Sequence, residues 1–282
     1  MTAPVIAPAQ LDVAGMATAV IDTGSPPGAT GAAAPPVLLL HGSGPGVTAT
    51  ANWRPVIPAL SARQRVIAPD QLGFGGTASG APRTYGREAW TGHALALLDA
   101  LQAGPVDIIG NSMGGAIALS IAAARPAAVR RIVLMGSMGV AMALPAGLDA
   151  VWGYQPGVEQ MRAVIGLFAH NRELITDELI ELRYQASLHP PVRDSWAAMF
   201  PAPRQRWVVD LALAGAELAA IQAPVLLVHG RDDRVVPWRE SSARLLDLLP
   251  DARLHVLSGC GHWTMIEKTA EFLAVVQPFL SG

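Results

Sequence analysis

The chain has 282 residues, 51% of them apolar and 15% charged, a formal charge of −2 and one cysteine. This supports one large domain, or a domain carrying an insertion, with a sizeable core. It excludes the basic footprint of a protein that binds nucleic acid or an anionic membrane; Cys260 alone can form no internal disulfide or multi-cysteine zinc site, and no apolar stretch reaches the length of a membrane span.

The first residues are Pro/Ala-rich and read as loose. No Lys or Arg precedes their apolar positions, so they match no secretory signal, and with the lone cysteine this predicts a cytoplasmic location. Residues 11–21 alternate as a hairpin with Gly15 near its turn, and 24–36 is a Gly/Pro/Ala surface loop. Residues 37–40 are wholly apolar, as in a strand buried on both faces, and lead into His41-Gly-Ser-Gly-Pro-Gly46, a loop whose backbone N–H groups are left free. A short helix is predicted over 53–60, a strand over 65–70, a turn over 73–76 and a helix over 85–101. The strand beginning at Val106 runs into Gly110-Asn-Ser-Met-Gly114 and an Ala-rich helix, and 129–135 is the next strand. Strand and helix in alternation predict an α/β class, with a mainly parallel, doubly wound sheet and sites at the carboxyl ends of its strands.

Between 145 and 215 the strand runs vanish and helical spacing takes over, in 158–168 and 176–187. This reads as a helical cap dividing the sheet domain into a first part, 1–144, and a second, 216–282. Thr176 is the expected N-cap of the second cap helix, with Asp177 and Glu178 favoured by the dipole in its first turn, and Arg183 falls on its inward face. Strands are predicted over 223–230 and 254–257 and a closing helix over 265–280, with no internal repeat.

Gly-x-Ser-x-Gly between a buried strand and a helix is the pattern of a nucleophile elbow. The turn is tight enough to strain Ser112 and to admit only small residues at Gly110 and Gly114. A serine nucleophile needs a base, and the base needs an acid that fixes its tautomer. His262, in Gly-Cys-Gly-His-Trp after the last strand, is the candidate base. The acid is sought in Gly-Arg-Asp-Asp-Arg-Val-Val-Pro237, where Asp233 is preferred because it lies four before the proline expected to open the next helix; Asp232 is the alternative. His41 and His229 each close a buried strand and read as partners of backbone groups, while His93, His170, His189 and His255 read as helix, cap or surface residues. None has metal-ligand spacing with a carboxylate, so no metal is expected. For the tetrahedral oxyanion, two backbone amides are available: Met113 N–H at the helix N-terminus and Ser43 N–H in the glycine loop.

Taken together, the segments 41–46, Ala51-Asn-Trp53, Gly110-Asn-Ser-Met-Gly-Gly115, Val133-Leu-Met-Gly136, Leu182-Arg-Tyr-Gln-Ala186, 200–207, 230–237 and Cys260-Gly-His-Trp263 resemble the meta-cleavage product hydrolases, carbon–carbon bond hydrolases of the α/β-hydrolase fold, over nearly the whole chain. Within that family the chain looks most like the 2-hydroxymuconic semialdehyde hydrolases. The resemblance implies a 2-hydroxy-6-oxohexa-2,4-dienoate substrate cleaved by water, no cofactor, and a homo-oligomer. It also implies that Arg183 holds the substrate carboxylate with its bidentate fork, that Asn52, Asn111 and Trp263 surround its 2-oxygen, that Gly42 contacts the substrate, and that Val236 walls the acyl pocket.

Two other functions compete. A carboxylesterase or lactonase would use the same triad without needing Arg183, and a non-catalytic small-ligand receptor on this scaffold would not need the triad at all. Dehalogenases and epoxide hydrolases of the fold require an aspartate where Ser112 stands.

Overall fold

The computed structural model describes residues 7–26, 34–79 and 83–282. The first six residues and much of the Gly/Pro/Ala loop (27–33) lie outside the described residues. The chain begins with the expected hairpin, β1 (Ala9–Val13) and β2 (Met16–Asp22), which turns at Ala14 and Gly15. Next come β3 (Val37–Leu40), α1 (Ala49–Trp53), α2 (Ile57–Ser61), β4 (Val66–Pro69), α3 (Arg87–Ala100), β5 (Val106–Asn111), α4 (Met113–Ala124) and β6 (Val129–Met135). Six helices follow: α5 (Ala146–Trp152), α6 (Val158–Phe168), α7 (Asp177–Leu188), α8 (Pro190–Met199), α9 (Gln205–Asp210) and α10 (Gly215–Ala219). The chain ends with β7 (Val225–Gly230), α11 (Ser242–Leu248), β8 (Ala252–Leu257), α12 (Thr264–Glu267) and α13 (Thr269–Ser281).

Every residue of β3, β4, β5 and β7 is buried, which is why those stretches are predominantly apolar rather than alternating. The edge strand β8 is half exposed and carries Arg253 and His255. The eight strands of the described residues form one sheet in the order β1-β2-β4-β3-β5-β6-β7-β8, antiparallel at β1-β2 and β2-β4 and parallel elsewhere. This order positions the site. From β3 the chain runs outward to β4, then returns to the far side of β3 to lay down β5 and its successors in the opposite direction. Loops that leave neighbouring strands at such a switch point diverge and open a crevice. The pairings Leu40↔Gly110 and Asn111↔Met135 bring the ends of β3, β5 and β6 level beneath it.

Three helix boundaries differ from the sequence expectation. The helix expected over 53–60 is two short ones, α1 and α2, because Pro55 has no N–H to continue the first. Pro237 does not open a helix; 238–241 is turn, and α11 starts at Ser242. The closing helix is interrupted at Lys268, whose backbone (φ −131°) leaves the helical region.

No strand occurs between β6 and β7 among the described residues. Aromatic rings join the helices there to one another and to the sheet domain: Phe200 stacks on Trp152 of α5 at 4.6 Å and on Trp90 of α3 at 6.0 Å. Such pairs contribute about 0.5–1.5 kcal/mol each beyond the area they bury. No helix of the described residues is long and apolar enough to cross a membrane.

Candidate active site

Ser112 occupies the turn between β5 and α4 with φ +55° and ψ −118°, a region that L residues rarely enter. Its neighbours make the turn possible. A Cβ on Gly114 would collide with the carbonyls of Leu40 and His41, and one on Gly110 would lie 2.5 Å from the Gly114 oxygen. The backbone on either side is tied down: Ser112 N–H donates to the Met135 carbonyl (2.8 Å), and the Ser112 carbonyl accepts from Gly115 and Met138 N–H, both at 3.0 Å. The N–H groups of Ser43 and Met113 donate to no protein acceptor among the described residues.

His262 is 2% exposed and its Nδ1 lies 2.7 Å from Asp233 Oδ2. The other Asp233 oxygen accepts the amides of Val235 (2.8 Å) and Val236 (2.9 Å). Burial would raise the Asp233 pKa, but the His262 charge and the hydrogen bonds from His229 and His262 prevail and hold the carboxyl well below the usual carboxylate range. Asp232 points elsewhere: its Oδ2 accepts Gly259 N–H at 3.0 Å and faces the His170 ring. Of the two adjacent carboxylates, Asp233 is the one brought to His262.

Ser112 and His262 line one narrow cavity, with about 230 Å³ of space unfilled by protein atoms. Gly42, Ser43, Asn52, Asn111, Arg183 and Trp263 share it. Among the described residues Ser112 makes no direct hydrogen bond to His262; such bonds are commonly long in unliganded sites and shorten on substrate binding. Gly42 sits close because a Cβ there would lie 3.0 Å from that of Ser112. Ser43 is fixed from the helical segment, its Oγ accepting Trp152 Nε1–H at 2.9 Å. One N–H of the Asn111 amide is spent on the Met135 carbonyl (3.1 Å), leaving one for a ligand.

Arg183 is the electrostatic feature of the cavity. It is 6% exposed, its Nε has no partner, and among the described residues no carboxylate pairs with it. Burial alone lowers its pKa from the usual 12.5 to about 10, so it stays charged at neutral pH. Asn52 Nδ2, in the same cavity, also lacks a partner. An unpaired buried cation costs roughly several kcal/mol, a penalty that an anionic ligand would remove. Burial and the Arg183 charge together depress His41 to about 4 and keep it neutral. In that state His41 accepts Gln71 N–H and contacts the Gly42 carbonyl.

Val236 does not line the cavity. It is fully buried, with its amide on Asp233 and its carbonyl accepting from His229 Nε2 at 2.8 Å, because the loop after β7 curls around the Asp233 carboxylate. His229 meets a backbone carbonyl as expected, and it and three further residues also support the site in ways the sequence reading had not assigned. His229 Nε2 also reaches Asp233 Oδ2 at 3.1 Å. Phe168 ends α6 inside the cavity, stacked on Trp263 at 4.9 Å. Gly136 (φ +49°) passes so close to the dyad that a Cβ would lie 2.9 Å from His262 Nδ1 and 3.1 Å from Asp233 Oδ2. Trp152 is the fourth, through its bond to Ser43. No group of His, Cys, Asp and Glu able to hold a metal ion occurs among the described residues.

Comparison with known proteins places this geometry. The α/β-hydrolase-fold family model matches residues 35–269. The 2-hydroxymuconate semialdehyde hydrolase of Pseudomonas sp. (strain CF600) is 52% identical over 246 residues, 87% of each chain. The 2-hydroxy-6-oxo-2,4-heptadienoate hydrolase of Pseudomonas putida is 52% identical over 247 residues, 88% of this chain and 89% of its own. Among solved structures, a variant of the meta-cleavage product hydrolase CumD of Pseudomonas fluorescens IP01, complexed with acetates, superposes with a TM-score of 0.92 at 42% identity, covering 99% of both chains. The chain belongs to the α/β-hydrolase fold and, within it, to the meta-cleavage product hydrolases.

Proposed function

We propose that this enzyme hydrolyses the carbon–carbon bond of 2-hydroxy-6-oxohexa-2,4-dienoates whose C6 substituent is hydrogen or a short alkyl group, releasing 2-hydroxypenta-2,4-dienoate and a small carboxylic acid during the breakdown of aromatic compounds. The observation that carries this reading is the buried, unpartnered Arg183 guanidinium in the cavity of Ser112 and His262. A neutral ester would leave that charge unpaired. A dienoate carboxylate would satisfy it with a bidentate fork and set the carbonyl end of the molecule toward Ser112. Relatives that are 52% identical and are named for the semialdehyde and the heptadienoate support the small substituent.

In this reading Ser112 is the nucleophile, His262 the base and Asp233 the acid that orients it. Carbon–carbon cleavage needs an electron sink. Ketonising the dienol first, with Asn52, Asn111 and Trp263 around the 2-oxygen, lets the departing fragment leave as a stabilised enolate. Ser112 adds to the C6 carbonyl as His262 takes its proton, and the amides of Ser43 and Met113 stabilise the oxyanion, each donor contributing about 3–4 kcal/mol. The C5–C6 bond then breaks, and water completes the acid product. Residues 145–215 act as the cap that carries Arg183 and Phe168 over the sheet domain. The same reading carries a cytoplasmic location, in keeping with the lone buried Cys260, and self-association.

The test is to mix the protein with 2-hydroxymuconic semialdehyde and follow its visible absorbance. Rapid loss of colour with formate release is expected. Turnover of simple esters with the dienoate left intact would favour a carboxylesterase instead.

A further inference from the structure

His262 sits on a loop after β8, and nothing within that loop explains how its ring is kept in place. The peptide on its N-terminal side is held by Glu267, the last residue of α12. Glu267 Oε1 accepts Gly261 N–H at 2.8 Å, while Oε2 accepts His170 N–H at 2.7 Å and Asn171 N–H at 2.8 Å. One carboxylate thus gathers an amide from the histidine loop and two from the turn that follows α6 in the helical segment. All three partners are donors, and among the described residues no cation pairs with Glu267.

The two strands of chain that Glu267 joins also touch each other. His262 N–H donates to the Phe168 carbonyl at 2.7 Å. Gly261 leaves no space between them: a Cβ there would lie 2.6 Å from the Phe168 oxygen, 2.8 Å from His170 N and 2.9 Å from Glu267 Oε1. The Phe168 ring lies 5.6 Å from the His262 ring. Arg234, next to Asp233, grips the last turn of α6 through the Gly166 carbonyl. The segment 166–171, the end of α6 and the turn after it, therefore contacts the loops of both His262 and Asp233, and Glu267 is its clasp.

We infer that Glu267 is a positioning residue that locks the His262 loop to the turn 169–171 after α6, so that the base is correctly placed only when the helical segment is seated. This rests on the assignment of His262 as the base. A carboxylate is required because three N–H donors converge on it; a glutamine would turn its NH₂ toward at least one of them. Displacing a catalytic group by about 1 Å can cost a hundredfold in rate. Substrate binding is less dependent on the clasp, because Arg183 is carried on α7 and makes none of the Glu267 hydrogen bonds.

The test compares kcat and KM on the dienoate for Glu267→Gln, His170→Pro and His170→Ala in the full-length enzyme. His170→Pro deletes one clasp amide, and the backbone before it (Ala169, φ −103°, ψ 133°) already suits a following proline. Glu267→Gln is expected to lower kcat by about ten- to a hundredfold with KM within about twofold. His170→Pro is expected to lower kcat several-fold more than His170→Ala, which keeps the amide. Wild-type kcat in Glu267→Gln overturns the inference. So does a Glu267→Gln loss with His170→Pro and His170→Ala alike, since Glu267 would then act without the helical segment. If Glu267→Gln does not fold, the His170 pair alone decides. His262→Ala separates the two levels: turnover surviving that change defeats the base assignment, whereas an inactive His262→Ala beside a normal Glu267→Gln defeats only this inference.

Discussion

His262 Nδ1 and Asp233 Oδ2 are 2.7 Å apart, and the same oxygen takes a second contact from His229 Nε2 at 3.1 Å. His229 Nε2 also faces the Val236 carbonyl, so it must carry a proton, and His229 holds the acid loop closed by donating there. The carboxylate of Asp233 thus has both oxygens fully engaged, with amides on one and imidazoles on the other. Asp233→Asn should lower kcat by about 10⁴-fold by presenting the wrong tautomer partner to His262. Asp232→Asn, which loses only a turn contact, should stay within about threefold. Steady-state kinetics on the dienoate check the pair, and the reverse ranking would move the acid to Asp232.

Arg183→Met should separate stability from function. It removes the buried, unpaired charge, so unfolding should shift upward by a few degrees, about 2–4 °C per kcal/mol for a chain of this size. Dienoate kcat/KM should fall by at least about a hundredfold while turnover of nitrophenyl acetate is kept, because only the carboxylate contact is lost. Arg183→Lys should behave like Met on the dienoate, since it keeps the charge without the fork. Equal losses on both substrates would assign Arg183 to folding.

Gly136→Ala should damage catalysis through sterics alone. The new Cβ would press on both His262 Nδ1 and Asp233 Oδ2, at a backbone position with φ +49°. The expected result is a destabilisation of about 1–3 kcal/mol and a loss of kcat of about a hundredfold or more, as the dyad is pushed apart. A folded variant with wild-type kcat would show that the dyad tolerates the displacement.

Stability should fall between about pH 6.5 and pH 4. His41 and His93 are both depressed from 6.5 to about 4, chiefly by burial, with nearby arginine charge adding to it. In this window the unfolded chain binds protons that the folded chain refuses, so acid favours unfolding. Holding His41 neutral down to about 4 corresponds to about 3 kcal/mol for this fully buried ring. Urea midpoints across this range check it, and His93→Gln should flatten part of the slope.

Substrate size should follow the narrow cavity. The 6-hydrogen and 6-methyl dienoates are expected to exceed the 6-phenyl compound in kcat/KM by at least about tenfold, given about 1–3 kcal/mol per misplaced methylene in such pockets. Because Val236 is held in the acid loop and does not line the cavity, Val236→Ala should act through the loop and lower kcat for every substrate alike. A selective gain for the phenyl compound would return Val236 to the pocket wall.

The sequence by itself determined what depends on local periodicity and on short-range sterics. Unbroken apolar runs marked strands buried on both faces, Thr176 marked a helix start and accepts Leu179 N–H there, and Gly110 and Gly114 marked a turn in which a Cβ has no room. It could not decide between Asp232 and Asp233. Adjacent residues share every local property, and the argument from Pro237 rested on a helix that starts only at Ser242. The choice was made by two backbone amides and two imidazoles that converge from 229–236 and 262. The same holds for Glu267, Gly136, Phe168 and Trp152, and for the absence of Val236 from the cavity. Their roles arise from contacts between segments far apart in the chain, which depend on how the loops leave the switch point between β3 and β5 and how the helices after β6 settle upon them. Such contacts leave no period in the sequence, so only the tertiary structure could decide them.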